Sequence, residues 1–227
     1  MHLLGGLAGS AIIKAGFESL IPAGITKVVI FIFLSPIIGL VLGTLFMIIV
    51  IWIFKNSKGS KVDKIFRYGQ LLSSAAFSLG HGTNDAQKTM GIISILLYTS
   101  GFLGEEFYVP FWVVIISHTA IGLGTLAGGW RVIKTMGMRL THLKPVGGFC
   151  AETAGALVLG GTAISGIPVS TTHTIAGAIM GVGMVKRLTA VRWGLAGKII
   201  WAWVLTIPFS GLCGALSYFI IKQFFLH

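Results

Sequence analysis

A short polar cluster, NDAQK at residues 84–88, interrupts the apolar stretch 71–94. Asn84 and Asp85 place an amide beside a carboxylate, and these oxygens can bind Na⁺ or, in the case of the carboxylate, carry a proton. Lys88 follows Asp85 by three residues, so a helix would bring the two charges together as an ion pair of purely structural meaning. The alternative for Lys88 is direct contact with a bound anion.

A second polar motif, PVSTTH at residues 168–173, supplies three consecutive hydroxyl side chains. Ser170, Thr171 and Thr172 follow a proline and precede an apolar run, which indicates the start of a helix. Unpaired N–H groups at a helix N-terminus attract anions, and hydroxyl groups add neutral donors, so the motif suits a tetrahedral oxyanion. Ser and Thr also cap helices routinely, and an N-cap cluster without a ligand is the alternative.

Glu152 is the third candidate, either as a ligand of an ion or proton or as a structural partner of Thr153 or another helix. His81 and His173 adjoin the two polar motifs, but the histidine spacing matches no zinc pattern and favours hydrogen-bonded core residues. Ser170 lacks the G-x-S-x-G surroundings of a hydrolase nucleophile. The sequence therefore predicts no enzyme activity, no catalytic residue and no cofactor.

The composition indicates the environment in which these residues act. Of 227 residues, 55% are hydrophobic and 10% are charged, against about 25% charged in a soluble domain. The net charge of +11 could suit nucleic acid, but the apolar background excludes that class, and positively charged cytoplasmic loops explain the excess. We predict a multi-pass protein of the cell membrane whose surroundings are the lipid bilayer.

The charge pattern orders the elements that position the motifs. The prediction comprises a segment at 1–54, a basic cytoplasmic loop at 55–67, a helix at 68–98 broken near 82–85, a span at 110–129, a hairpin at 145–185 and a span at 199–225. Basic residues flank both ends of the hairpin, so both ends lie on the cytoplasmic side. A re-entrant hairpin is favoured over two full spans, because irregular backbone at membrane depth is tolerated where it lines a cavity.

A weak internal repeat supports this topology. Residues 1–10 and 173–182 share a G-x-x-x-G pattern, and the predicted orientations of the two segments are opposite. Such inverted repeats are typical of secondary transporters. We therefore interpret 1–54 as the end of a first repeat with its connecting helix and 68–227 as the second repeat, and we expect the first hairpin tip to precede Met1.

The same motifs resemble the inorganic phosphate transporter (PiT) family. The resemblance rests on GHGTNDAQKTMGII at 80–93, GTLAGGWRVIKTMG at 124–137, GFCAE at 148–152 and PVSTTHTIAGAIMGVG at 168–183. It implies symport of inorganic phosphate with Na⁺ or H⁺, a cation site at Asn84 and Asp85, and a phosphate site at Ser170–Thr172. We add Lys88 to the predicted phosphate ligands and Glu152 to the predicted cation ligands.

Three alternatives remain open at this point. The resemblance covers only the second repeat in full, so we expect a C-terminal half or fragment that works with an N-terminal half or as a homo-oligomer. A sulfate carrier would use the same donors, although an acceptor such as Asp85 or Glu152 favours phosphate, which can donate a hydrogen bond. A non-transporting membrane subunit or remnant is the third reading.

Overall fold

The structure, a computed structural model, describes residues 2–225. Met1 of the predicted segment 1–54 and residues 226 and 227 of the predicted second repeat lie outside the described part. The helices are α1 His2–Ala15, α2 Pro22–Phe54, α3 Gly59–Thr99, α4 Phe111–Lys134, α5 Pro145–Ile164, α6 Thr171–Lys186 and α7 Trp193–Phe225, with a π-helical turn at Thr135–Leu140. The described residues contain no strand, and the all-α fold class is confirmed.

Four of these helices, α2, α4, α5 and α7, are long and apolar enough to cross a membrane. The predicted spans 110–129 and 199–225 correspond to α4 and α7, each of which begins or ends several residues beyond the predicted limits. The described residues divide into two compact units. Unit 1 comprises the residues up to Ile30 and those from Trp193 onward, and unit 2 comprises Phe31–Arg192.

Unit 1 is built on the packing of α1 against α7. Gly5 of α1 faces Ser210, and Gly9 faces the backbone of Gly211, so closely that a Cβ atom at either glycine would overlap its neighbour. Small residues let helix backbones approach in lipid, where no hydrophobic driving force brings apolar helices together. The G-x-x-x-G pattern in α1 is therefore a helix contact.

Unit 2 repeats this device between α2 and α6. Gly39 and Gly43 of α2 face backbone atoms of α6, and Gly177 of α6 faces the backbone of Pro36. The sequence predicts a helix contact for the pair Gly39 and Gly43, and the structure confirms it. α3 packs on α4 and α5 in the same unit, and α5 packs on α6.

The predicted break in the helix 68–98 is wrong, because α3 runs without interruption from Gly59 to Thr99. Polar side chains at its centre make contacts along the helix: the Asn84 amide donates to the carbonyl of Gly80, and Lys88 pairs with Asp85. Side chains three or four apart meet on one helix face, so these residues support the helix. The predicted loop 55–67 is also too long, since α2 ends at Phe54 and α3 begins at Gly59.

The predicted hairpin 145–185 takes the form of α5, a turn and α6. α5 ends in a Schellman motif: Ile167 N–H donates to the carbonyl of Thr162, Gly166 N–H donates to that of Ala163, and Gly166 has φ 63°. That left-handed conformation favours glycine. α6 has 16 residues, which is about 24 Å against the roughly 30 Å of a hydrocarbon core. The short second arm favours the re-entrant interpretation, which stays a prediction.

Candidate functional site at the junction of α3 and the hairpin tip

The middle of α3 meets the residues that precede and open α6. The ammonium group of Lys88 donates to the backbone carbonyl of Val169 at 2.8 Å. The hydroxyl of Thr171 lies 3.4 Å from Oδ2 of Asp85, to which it donates. Two motifs that are more than 80 residues apart in sequence are therefore in contact through Asp85, Lys88 and Thr171.

Asp85 lies at the centre of this site. Lys88 Nζ is 3.1 Å from Oδ1, and His81 Nδ1 is 3.4 Å from Oδ2. We call His81, Asp85, Lys88 and Thr171 the Asp85 cluster. The side chain of Asp85 is 35% exposed and that of Lys88 is 26% exposed, so both charged groups are partly accessible.

The sequence predicts a hydrogen-bonded core residue at His81, whereas the structure places this side chain in the cluster. Its spacing of four residues from Asp85 was the available signal, because residues i and i+4 share one face of a helix. The ring of His81 also stacks on Phe77, with centroids 6.1 Å apart. This contact holds the ring on the face of α3 that carries Asp85.

The tip is the N-terminus of α6. Ser170 is its N-cap, and its hydroxyl oxygen accepts from the N–H of His173 at 3.4 Å. Thr171 and Thr172 form the first turn, where N–H groups have no acceptor within the helix and the helix dipole is positive. Thr172 is exposed and Thr171 is buried. The N-cap interpretation of Ser170 is thus correct, and it leaves the neighbouring donors available to an anion.

Asn84 is buried behind the cluster. Its Nδ2 donates to the carbonyls of Gly80 and Leu159, both at 3.1 Å, and the second bond joins α3 to α5. The amide nitrogen is therefore committed to structure. A cation at Asn84 would have to use the side-chain oxygen Oδ1, the atom that carries lone pairs.

Glu152 belongs to α5 and contacts a different part of α3. Its carboxylate accepts from Ser73 Oγ at 2.6 Å and from Gln70 Nε2 at 3.4 Å. Ser73 precedes Asp85 by 12 residues, which is about 18 Å along a helix. The structure therefore does not bring Glu152 to the Asp85 cluster, and its contacts match the alternative of a structural partner for another helix.

The chemistry of the cluster is that of small ions. Among residues 2–225, no group of three or more His, Cys, Asp and Glu side chains is placed to hold a resident metal ion. One carboxylate and one amide oxygen are the protein atoms of this region that can act as ligands of a small cation such as Na⁺. The site thus combines a carboxylate, an ammonium group and a helix N-terminus, which places the protein in the class of helical membrane proteins with a candidate site for small ions.

The comparison with known families agrees with this class. The profile of the phosphate transporter family matches residues 54–214. This chain belongs to the phosphate transporter family. It is a multi-pass membrane protein, and the relatives described next are named as transporters and not as enzymes.

A protein of Rhizobium meliloti, described as a probable low-affinity inorganic phosphate transporter, is 55% identical over 96% of this chain and 65% of its own length. A Bacillus subtilis protein with the same description is 43% identical over 98% of this chain and 67% of its own length. The chain thus spans about two thirds of these relatives. Sodium-dependent phosphate transporter 1 of Felis catus is 33% identical over 73% of this chain and 25% of its own length.

A solved structure confirms the fold. It is titled the sodium-dependent phosphate transporter, and it superposes with a TM-score of 0.84 at 21% identity, covering 98% of this chain and 73% of its own. At that identity the likeness concerns the path of the helices. It does not extend to the roles of individual side chains.

Proposed function

We propose that this chain forms part of a carrier that transports inorganic phosphate across the membrane together with Na⁺. One observation carries the proposal. The Asp85 cluster brings a carboxylate that can bind a cation next to a helix N-terminus that can bind an oxyanion. Lys88 contacts both, because it donates to Asp85 and to the carbonyl of Val169, which precedes that helix. The names of the Rhizobium meliloti and Felis catus relatives support phosphate as cargo, and the latter name supports sodium.

Phosphate would bind at the tip of the hairpin. The N–H groups of Thr171 and Thr172 and the hydroxyl of Thr172 lie in the first turn of α6, and the hydroxyl of Ser170 can still donate its hydrogen while its lone pair caps the helix. The hydroxyl of Thr171 would turn from Asp85 to the anion. Lys88 adds a charge-assisted hydrogen bond to a phosphate oxygen. Together these donors suit a tetrahedral anion that carries one or two negative charges.

Na⁺ would bind at Asp85, with Oδ1 of Asn84 as a further ligand. When phosphate engages Lys88, the Asp85 carboxylate loses its counter-charge, and a cation must replace it or the group must take up a proton. The anion and the cation therefore stabilise each other in the same site. This reciprocal dependence is what couples the two solutes in a symporter. Glu152 would position α5 against α3 through Ser73.

The test is uptake of radiolabelled phosphate into liposomes under an inward Na⁺ gradient. Because the relatives extend beyond the match, the chain is reconstituted alone and together with the part of the Rhizobium meliloti relative that the match leaves uncovered. We expect Na⁺-dependent uptake in at least one arrangement. Asp85→Asn should abolish it, whereas the control Glu105→Gln, in an exposed loop, should not.

Each alternative has its own outcome in this assay. Uptake that a proton gradient drives and a Na⁺ gradient does not would replace Na⁺ by H⁺. Inhibition of phosphate uptake by equimolar sulfate would indicate a broader oxyanion carrier. Absence of uptake in both arrangements, with the reconstituted protein folded, would contradict transport and favour a non-transporting subunit. Uptake that Asp85→Asn leaves unchanged would contradict the coupling role.

A further inference from the structure

A polar cavity lies at the opposite end of α6 from the hairpin tip, within unit 2. Its volume is about 370 Å³, and its walls come from the end of α6, the turn after it and the segment that follows the π-helical turn. The 16 residues of α6 separate it from the tip by about 24 Å. The cavity is therefore distinct from the Asp85 cluster and has no role in the mechanism proposed above.

Positive charge dominates this cavity. Lys186, Arg187 and Arg192 line it together with His142, Thr141 and Thr189. The six acidic residues of the chain are Glu18, Asp63, Asp85, Glu105, Glu106 and Glu152, and none of them lines it. Three cationic side chains thus line one cavity whose lining contains no carboxylate. Cationic side chains are normally paired with an opposite charge.

The surroundings of Lys186 disfavour its charged form. Burial, and secondarily the nearby Lys144, lowers the pKa of Lys186 below its usual value. Lys186 lies at the last residue of α6, beyond the hairpin segment 145–185. A nearby anion would favour the charged form of such a lysine.

Two hydrogen bonds connect the walls of the cavity. The hydroxyl of the buried residue Thr141 donates to the carbonyl of Ala190 at 3.0 Å, and Arg192 N–H donates to the carbonyl of Leu140, also at 3.0 Å. A π-helical turn, Thr135–Leu140, leads into this wall, and such turns occur frequently at functional sites. The cationic side chains therefore project from a backbone that is already held in place.

We propose that this cavity binds the phosphate group of an anionic ligand through Lys186, Arg187 and Arg192. The guanidinium groups suit paired hydrogen bonds to two phosphate oxygens, and the ammonium group supplies a further charge. The hydroxyls of Thr141 and Thr189 are neutral partners on the same walls. A volume of about 370 Å³ admits either hydrated inorganic phosphate or the headgroup of an acidic phospholipid, since both present the same chemistry.

The two sources are separated by two binding measurements on the full chain. Native mass spectrometry in detergent measures binding of phosphatidic acid, with phosphatidylcholine as the neutral comparison. Equilibrium dialysis measures binding of radiolabelled inorganic phosphate in a Lys88→Met background, which removes the cation of the Asp85 cluster. The test variant is Lys186→Gln with Arg192→Gln.

The matched control is Lys134→Gln with Arg139→Gln. It removes one lysine and one arginine from exposed positions in the same region of unit 2 that do not line the cavity. We expect the test variant to weaken binding by about tenfold in one arm, while the control changes it less than twofold. Both variants should keep the thermal melting profile of a folded protein.

A loss confined to the phosphatidic acid arm identifies a lipid headgroup as the ligand, and a loss confined to the dialysis arm identifies free phosphate. Losses in both arms mean that the cavity takes either source. Equal binding by the test and control variants in both arms overturns the proposal. None of these results depends on whether the chain transports phosphate, so failure here and failure of the proposed function can be distinguished.

Discussion

The helix pair α1–α7 in unit 1 and the helix pair α2–α6 in unit 2 solve the same packing problem in the same way. In each pair, glycines of a G-x-x-x-G pattern bring two backbones into direct contact. The pairs differ in their surroundings. Ser10, Ser19, Thr206 and Ser210 of unit 1 donate only to carbonyls three residues earlier in the chain.

In unit 2, side-chain hydrogen bonds also connect residues that are far apart in the sequence. Asn84 reaches Leu159, Lys88 reaches Val169, and Ser73 reaches Glu152. In unit 1, close glycine packing brings two apolar helices into contact. The long-range polar bonds appear around the candidate site, where side chains have to be placed as well as helices.

The largest effect is expected from Lys88→Met, which removes the cation that joins α3 to the tip. Phosphate uptake should fall by about 100-fold, because a charge-assisted contact to the anion is lost and Asp85 loses its partner. The control Lys198→Met changes an exposed lysine of α7 in unit 1 and should leave uptake within twofold. Equal losses for both variants would mean that net charge matters and the cluster does not.

The second largest effect is expected from replacing a glycine at the close helix contact of each unit by alanine. Gly177→Ala and Gly9→Ala each place a Cβ against backbone atoms of the facing helix. Each should lower the free energy of unfolding by about 1–3 kcal/mol, measured by thermal or denaturant unfolding in detergent. Gly160→Ala is the control, since nothing lies within 4 Å of its Cβ position. If Gly9→Ala left the free energy of unfolding unchanged, the two helix pairs would not be equivalent.

A smaller effect distinguishes long-range from local hydrogen bonds. Ser73→Ala removes a donor from the carboxylate of Glu152, whereas Ser74→Ala removes a bond to Leu71 one turn earlier in the same helix. We expect a loss of about 1–2 kcal/mol for Ser73→Ala and less than about 0.5 kcal/mol for Ser74→Ala. Equal values would show that the inter-helix bond adds nothing beyond a local one.

The smallest effect concerns Lys186 and pH. Its pKa is lowered from the ordinary value of 10.5, so folding disfavours its charged form. That cost is full below the folded pKa and disappears as the pH rises to the unfolded value. Lys186→Gln should therefore raise the melting temperature slightly at pH 7, and the gain should vanish above about pH 10.5. A gain that persists unchanged at higher pH would point to packing as its cause.

The sequence predicts the helices and the two polar motifs because apolar length and unforced charge in a membrane are strong signals. The predicted break near 82–85 is wrong, because the polar side chains there make hydrogen bonds along a helix that stays continuous. The position of Glu152 could not be predicted either. Which residues of α3 face α5 depends on how the two helices pack, and a one-residue rotation would change the partner.

His81 shows the same limit from the other side. Its place beside Asp85 follows from helical spacing, but only once α3 is known to be continuous at that point. A prediction of broken helix removes the very register that would have revealed the contact. The roles of Asn84, Ser170 and Thr172 as ligands stay predictions.

The contact between α2 and α6 also restricts how the hairpin can move. Along this seam, glycines of one helix rest on carbonyl groups and Cα atoms of the other, and backbone atoms cannot change rotamer to let a neighbour pass. A slide of α6 by one residue would drive a side chain into that backbone. Displacement of the tip therefore requires one of two movements. Either α6 and the adjoining part of α2 move together as a rigid body, or the turn around Gly166 bends while α6 stays in register.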